Sequence, residues 1–211
     1  MSTTQGPGDP ATAPVARVSN LNIANQLTVL RLALVPVFLL CLLYDDGASK
    51  GFRIAACVVF ALASYTDWVD GQLARSRNLI TSFGKLADPI ADKALIGAAL
   101  IGLSVLDLLP WAVTIVVLVR EVGVTALRFW VIRHGVMPAS RGGKLKTLLQ
   151  GLAIALYLLP LSGILGTGRA LVMAAAVVVT VVTGIDYVAR ALTLRQTSDR
   201  AAMKRARKAA R

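Results

Sequence analysis

An all-α polytopic membrane protein with six transmembrane helices is predicted by three observations. The chain is 56% apolar with a mean hydropathy of +0.67, against the 45–50% apolar content usual for soluble domains. Its apolar runs recur at roughly the 20-residue length that a bilayer core demands. Charge gathers at their ends and in one acidic block, residues 67–92. Two cysteines, Cys41 and Cys57, fall inside apolar runs and read as small packing residues, with no disulfide framework or CxxC site. The formal charge of +12 favours anionic lipid rather than nucleic acid as partner, because the basic residues flank apolar spans.

Residues 1–20 are rich in Pro, Gly, Ser, Thr and Ala, lack the apolar core of a signal peptide, and are expected to form a disordered cytoplasmic tail. The first span is expected from about Asn25 to Tyr44, ending at the turn-rich Asp45-Asp46-Gly47. The second runs from Phe52 to Asp67. The third starts near Phe83 and is fully apolar from Ala94 to Leu106. Pro110 opens the fourth, which passes through Arg120 towards His134. The fifth, Leu148–Leu165, carries no charge, and the sixth runs from about Ala170 to Ala189. Six spans place both termini on one side. Only Lys50, Arg53 and Arg169 of the 23 basic residues fall in the loops after spans one, three and five. The other twenty mark the opposite side as cytoplasmic by the positive-inside rule. Residues 21–195 are thus expected to form one six-helix membrane domain. Residues 196–211 form a basic cytoplasmic tail with Arg200, Lys204, Arg205, Arg207, Lys208 and Arg211 against Asp199.

Within the acidic block, Asp67 and Asp70 are three residues apart and Asp88 and Asp92 four apart. On helices, each spacing puts two carboxylates on one face. Intramembrane charge is costly and marks a functional site by default. Oxygen-only donors without His or Cys favour Mg²⁺ or Mn²⁺, and four carboxylates suit one or two such ions. Gly71 and Ala74 share the stripe of Asp67 and Asp70, where small side chains let either a bulky ligand or a neighbouring helix approach.

The string D-x2-D-G-x2-A-R-x8-G-x3-D-x3-D, namely Asp67, Asp70, Gly71, Ala74, Arg75, Gly84, Asp88 and Asp92, resembles the signature of the CDP-alcohol phosphotransferases at every position. Asn25-x2-Thr28-x2-Arg31-x4-Pro36 is similar to that family's first-span pattern. The resemblance covers about residues 21–195 and implies six transmembrane helices, a homodimer and a cavity open to the cytoplasm of a bacterial cell membrane. It implies that Asp67, Asp70 and Asp88 hold a two-metal centre, with Asp92 joining it and acting as general base. It also implies that Asn25, Thr28, Gly71, Arg75 and Thr81 bind CDP-diacylglycerol, with Ala74 giving room. An alcohol would then attack the phosphorus beside the diacylglycerol and release CMP. His134, the only histidine, lies outside the motif and reads as a loop residue.

The fourth span points to the acceptor. Arg120 and Arg128, eight residues apart, lie on similar helix faces about 12 Å apart along the axis, and Lys144 and Lys146 follow in the next loop. Arginine suits phosphate through its planar fork. Pairing with Glu121 is the simpler role for Arg120, and topology alone accounts for loop lysines. Arg120–Trp130 and Gly143–Thr147 resemble the branch of the family whose acceptor is sn-glycerol 3-phosphate. Arg120, Arg128, Lys144 and Lys146 are therefore expected to bind the acceptor phosphate. An acceptor such as inositol phosphate, a cardiolipin-forming reaction and, in another class, a cation or proton transporter are the competing readings.

Overall fold

The computed structural model describes residues 23–76, 82–131 and 141–209; the side chains of 23–25, 70, 71, 73–76, 82–89, 128, 129, 131, 141 and 196–209 lie outside that description. Among the described residues there are six α-helices and no strand: α1 Ile23–Leu43, α2 Lys50–Ser76, α3 Ser82–Val105, α4 Trp111–Val131, α5 Arg141–Leu158 and α6 Gly163–Ala209. The all-α class expected from the sequence is what forms. Three stretches, Gln26–Gly47, Lys50–Val69 and Gly163–Arg195, are long and apolar enough to cross a membrane by themselves.

Local chemistry sets the turns. After α1 the chain reverses through a short 3-10 turn, Tyr44–Gly47. Asp45, Asp46 and Gly47 there all adopt positive φ. Gly47 has a second reason to be glycine, since a Cβ would lie 2.7 Å from Leu106 Cδ1. At the end of α3 Asp107 takes φ 53°, and the Leu108 N–H donates to Leu103 O at 3.0 Å, closing the frayed carbonyls. Pro110, which lacks an N–H, precedes the first residue of α4, where no helical donor is required.

Helix packing relies on small residues, as expected where lipid removes most of the hydrophobic drive for helices to associate. Ala56, Phe60 and Ala63 make the buried face of α2, and Ala91, Leu95, Ala99 and Leu103 that of α3. Phe38 and Leu42 of α1 fill the space between them. At Gly102 a Cβ would lie 2.7 Å from Leu42 Cδ2, so α1 and α3 cross where glycine allows it. The opposite surfaces carry exposed Leu40, Val119, Leu171, Val182 and Ile185, an apolar exterior far beyond the isolated patches of a soluble monomer.

Several boundaries differ from the expected spans: α2 runs on to Ser76, α5 begins at Arg141 and α6 at Gly163. The fifth was expected to reach Leu165, but α5 stops at Leu158, ahead of Pro160, and Gly163 opens α6 with φ 62°. Composition shows no charge across this stretch, so hydropathy alone runs through the break. The sixth helix continues for 47 residues into the basic tail. At 1.5 Å per residue that is roughly 70 Å, more than twice a bilayer core of about 30 Å, so its end must project. The tail before Ile23, Thr81 and His134 lie outside the described residues.

Candidate active site

Contacts between helices define one polar end of the bundle. Arg31 is wholly buried on α1, and its guanidinium forms an ion pair with Asp67 near the end of α2. A buried arginine requires a counter-charge, and Asp67 supplies it while its own side chain stays 45% exposed. Thr28, one turn before Arg31, is also buried. Asp92, exposed on α3, lies within electrostatic reach of Asp67, Arg31, Glu121 and Lys146. The two ends of the acidic block, 25 positions apart in sequence, are thereby brought together by the antiparallel pairing of α2 and α3.

Beside Asp92 sits a second charged group. Arg120 Nη1 donates to Glu121 Oε1 at 3.1 Å, and Arg120 Nη2 donates to Thr183 Oγ1 on α6, also at 3.1 Å. Lys146, only 6% exposed on α5, donates to the same Glu121 oxygen. Lys93 Nζ donates to Thr125 Oγ1, whose own hydroxyl donates to Glu121 O at 2.8 Å. Room for Arg120 comes from Gly184, where a Cβ would lie 3.1 Å from Arg120 Cγ. At the same end Arg195 lies over the Trp130 ring at 4.6 Å and ties α6 to the last turn of α4.

These positions sort the residues expected from the sequence. Asp67, Asp92, Thr28, Arg120 and Lys146 are gathered at this end, whereas Lys144 is exposed and joins no ion pair among the described residues. Asn25, Asp70, Gly71, Ala74, Arg75, Asp88 and Arg128 lie on the helices that build the end, with side chains outside the description. Lys93 and Thr183 join the site without having been expected there, and Arg31, part of the first-span pattern, joins it without a role having been assigned to it. Arg31 had a sequence signal, a single charge within an otherwise apolar span. Thr183 had none, since a hydroxyl inside a long helix normally bonds its own backbone, as this one also does to Val179 O.

The donor set fits hard divalent cations. Asp67 and Asp92 present carboxylates from α2 and α3 with no His or Cys beside them among the described residues, and Asp70 and Asp88 follow one turn away on the same two helices. By contrast, the groove lined by Pro36, Leu39, Leu40, Leu43 and Tyr44, about 480 Å³, is almost wholly apolar and lies at the other end of α1. It lacks polar groups to orient a reacting substrate.

A helical membrane bundle with this acidic signature belongs to the CDP-alcohol phosphatidyltransferase family, whose model matches residues 21–182. Within that family the chain is 56% identical over 194 residues to a Mycobacterium tuberculosis protein named "Probable phosphatidylglycerophosphate synthase", covering 90% of this chain and 93% of the relative. It is 38% identical over 191 residues to the "CDP-diacylglycerol--glycerol-3-phosphate 3-phosphatidyltransferase" of Bacillus subtilis, covering 84% of this chain and 99% of that one. The Rickettsia felis protein of the same name is 36% identical over 171 residues, covering 79% and 93% respectively.

Proposed function

We propose that this protein transfers the phosphatidyl group of CDP-diacylglycerol to sn-glycerol 3-phosphate, giving phosphatidylglycerol phosphate and CMP. The observation that carries the reading is the position of Asp92, within electrostatic reach of both Asp67 and Lys146. A carboxylate near both an acidic site and a buried cation stands where an acceptor hydroxyl and the acceptor's own phosphate would both be met. The names of the relatives from Mycobacterium, Bacillus and Rickettsia support the same acceptor.

In this scheme Asp67, Asp70, Asp88 and Asp92 would hold one or two Mg²⁺ or Mn²⁺ ions, which when bound neutralise the pyrophosphate and the departing CMP. Asp92 takes the proton from the attacking hydroxyl, a role that needs a base within hydrogen-bond reach. The hydroxyl oxygen bonds to the phosphorus beside diacylglycerol as that phosphorus parts from the CMP oxygen. Arg31 fixes the Asp67 carboxylate. Asn25, Thr28, Gly71, Ala74, Arg75 and Thr81 bind the CDP-linked lipid, and Lys146 with Arg120 and Arg128 holds the acceptor phosphate, with Lys144 at the rim. Holding both substrates in line lowers the entropic part of the barrier.

The reading includes six spans around a cytoplasm-facing cavity in a bacterial cell membrane, with both termini cytoplasmic. It is supported by the excess of Lys and Arg at the site end. Its homodimer rests on the family resemblance. The test is an acceptor competition with purified protein in detergent, supplied with Mg²⁺ or Mn²⁺. CMP release from CDP-diacylglycerol should depend on sn-glycerol 3-phosphate. Faster release with inositol phosphate would overturn the acceptor and leave the reaction class standing.

A further inference from the structure

Glu121 poses a question that the proposed reaction does not answer. It is an anion set beside the cations assigned to the acceptor phosphate, with a side chain 20% exposed. One of its oxygens, Oε1, accepts from both Arg120 and Lys146. Phosphate would form the same bonds to the same donors. Without any anion, two cations drawn from α4 and α5 would face each other partly buried, which is costly. We infer that Glu121 is an internal stand-in for the acceptor phosphate, holding Arg120 and Lys146 until the acceptor displaces it, and so sets acceptor affinity. This rests on the acceptor reading above.

A displaced carboxylate needs donors. Gln150, 2% exposed, lies one turn beyond Lys146 on α5, and neither of its amide atoms has a partner among the described residues. Thr180, wholly buried, lies one turn from Thr183 on α6, and its hydroxyl has no partner among the described residues. Unsatisfied buried polar atoms are uncommon and call for an explanation. Here they lie next along the two helices that already touch the Arg120–Glu121 pair. Gln150 Nε2 and Thr180 Oγ1 are the donors that would receive Glu121 once phosphate holds Lys146.

When a binding-competent state is only partly populated, apparent affinity falls by that fraction, and removing the competitor restores it. Glu121→Gln keeps the shape and removes the charge. It should lower the KM for sn-glycerol 3-phosphate by roughly three- to tenfold and leave the KM for CDP-diacylglycerol unchanged. Sn-glycerol 3-phosphate alone should also raise the melting temperature of this variant more than that of the wild type. Glu121→Asp retains the charge but shortens the reach to Lys146, so displacement lowers its acceptor KM as well. A wild-type KM in Glu121→Asp beside a lowered one in Glu121→Gln would mean a through-space charge effect and overturn displacement. So would an unchanged or raised KM in Glu121→Gln. Loss of folding in both variants would make Glu121 a structural counter-ion only and would equally overturn the inference. Failure of the acceptor reading itself looks different, since wild-type protein would then release no CMP with sn-glycerol 3-phosphate.

Discussion

Buried arginines hold both ends of the bundle, but they are satisfied in opposite ways. At the end where α2 begins and α5 finishes, Arg53 is 9% exposed and donates to three backbone carbonyls: Tyr157 O at 2.8 Å, Leu158 O at 3.2 Å and Leu159 O at 3.2 Å. It caps the carbonyls that a helix C-terminus leaves without partners. Arg169 lies over the Tyr157 ring at 4.8 Å in the same corner. At the site end, Arg31 and Arg120 pair with carboxylates instead. Backbone carbonyls cannot leave, whereas a carboxylate can rotate away or be replaced by a substrate anion. The first end is built to be fixed and the second to exchange partners.

The largest expected effect belongs to the exchanging end. Asp92→Asn preserves shape and removes basicity, so turnover should fall about 10²- to 10⁴-fold, the span associated with a positioned general base. Fold and CDP-diacylglycerol binding should stay near wild type. Turnover within a few-fold of wild type would falsify the role of Asp92 as base. Next comes the fixed end. Arg53→Met should lower stability by about 2–4 kcal/mol, because three carbonyls lose a charged donor. The activity of the remaining folded protein should hardly change. If melting were unaffected while turnover collapsed, the assignment of the two ends would be reversed.

This contrast explains what the sequence could and could not show. The acidic block was legible because four carboxylates at helical spacing have no structural use in an apolar setting, and Asp67 and Asp92 lie within electrostatic reach of each other. Hydropathy gave α1, α3 and α4 to within a few residues, but not the end of α2 at Ser76, either end of α5 or either end of α6. Polar helical turns extend past the apolar runs, and one apolar run continues through Pro160. The pairing of Arg120 with Glu121 was open to a neighbour-based reading and is present. That Lys146 reaches the same carboxylate was not legible, since it depends on how α5 packs beside α4. Arg53 read only as one of three basic residues outside the inner side, and its role as a cap appears once the end of α5 is placed against it.

A smaller effect separates two lysines that were expected in a loop and instead lie two residues apart in the first turns of α5. Lys146 is buried against Glu121, whereas Lys144 is exposed. Lys146→Ala should raise the KM for sn-glycerol 3-phosphate by roughly tenfold to a hundredfold, the value of a charge-assisted hydrogen bond. Lys144→Ala should change it by no more than about threefold, in keeping with an exposed charge. Matching effects from the two would place the acceptor phosphate nearer the surface than the Arg120–Glu121–Lys146 group.

The smallest effect is expected beyond the site end. Residues 196–209 continue α6 as helix, and the contact of Arg195 with Trp130 between α6 and α4 precedes them. Each basic residue in this segment is worth about 1 kcal/mol near an anionic surface, but a protein with transmembrane spans does not depend on that for attachment. Deleting residues 196–211 should therefore leave turnover per folded protein within about twofold of wild type, since surface charges make small contributions. Yield or orientation in the membrane is where the loss of these charges should register, through the positive-inside rule. A folded deletion variant without turnover would show that the projecting end of α6 belongs to the exchanging end, with its cations acting on substrate rather than on the bilayer.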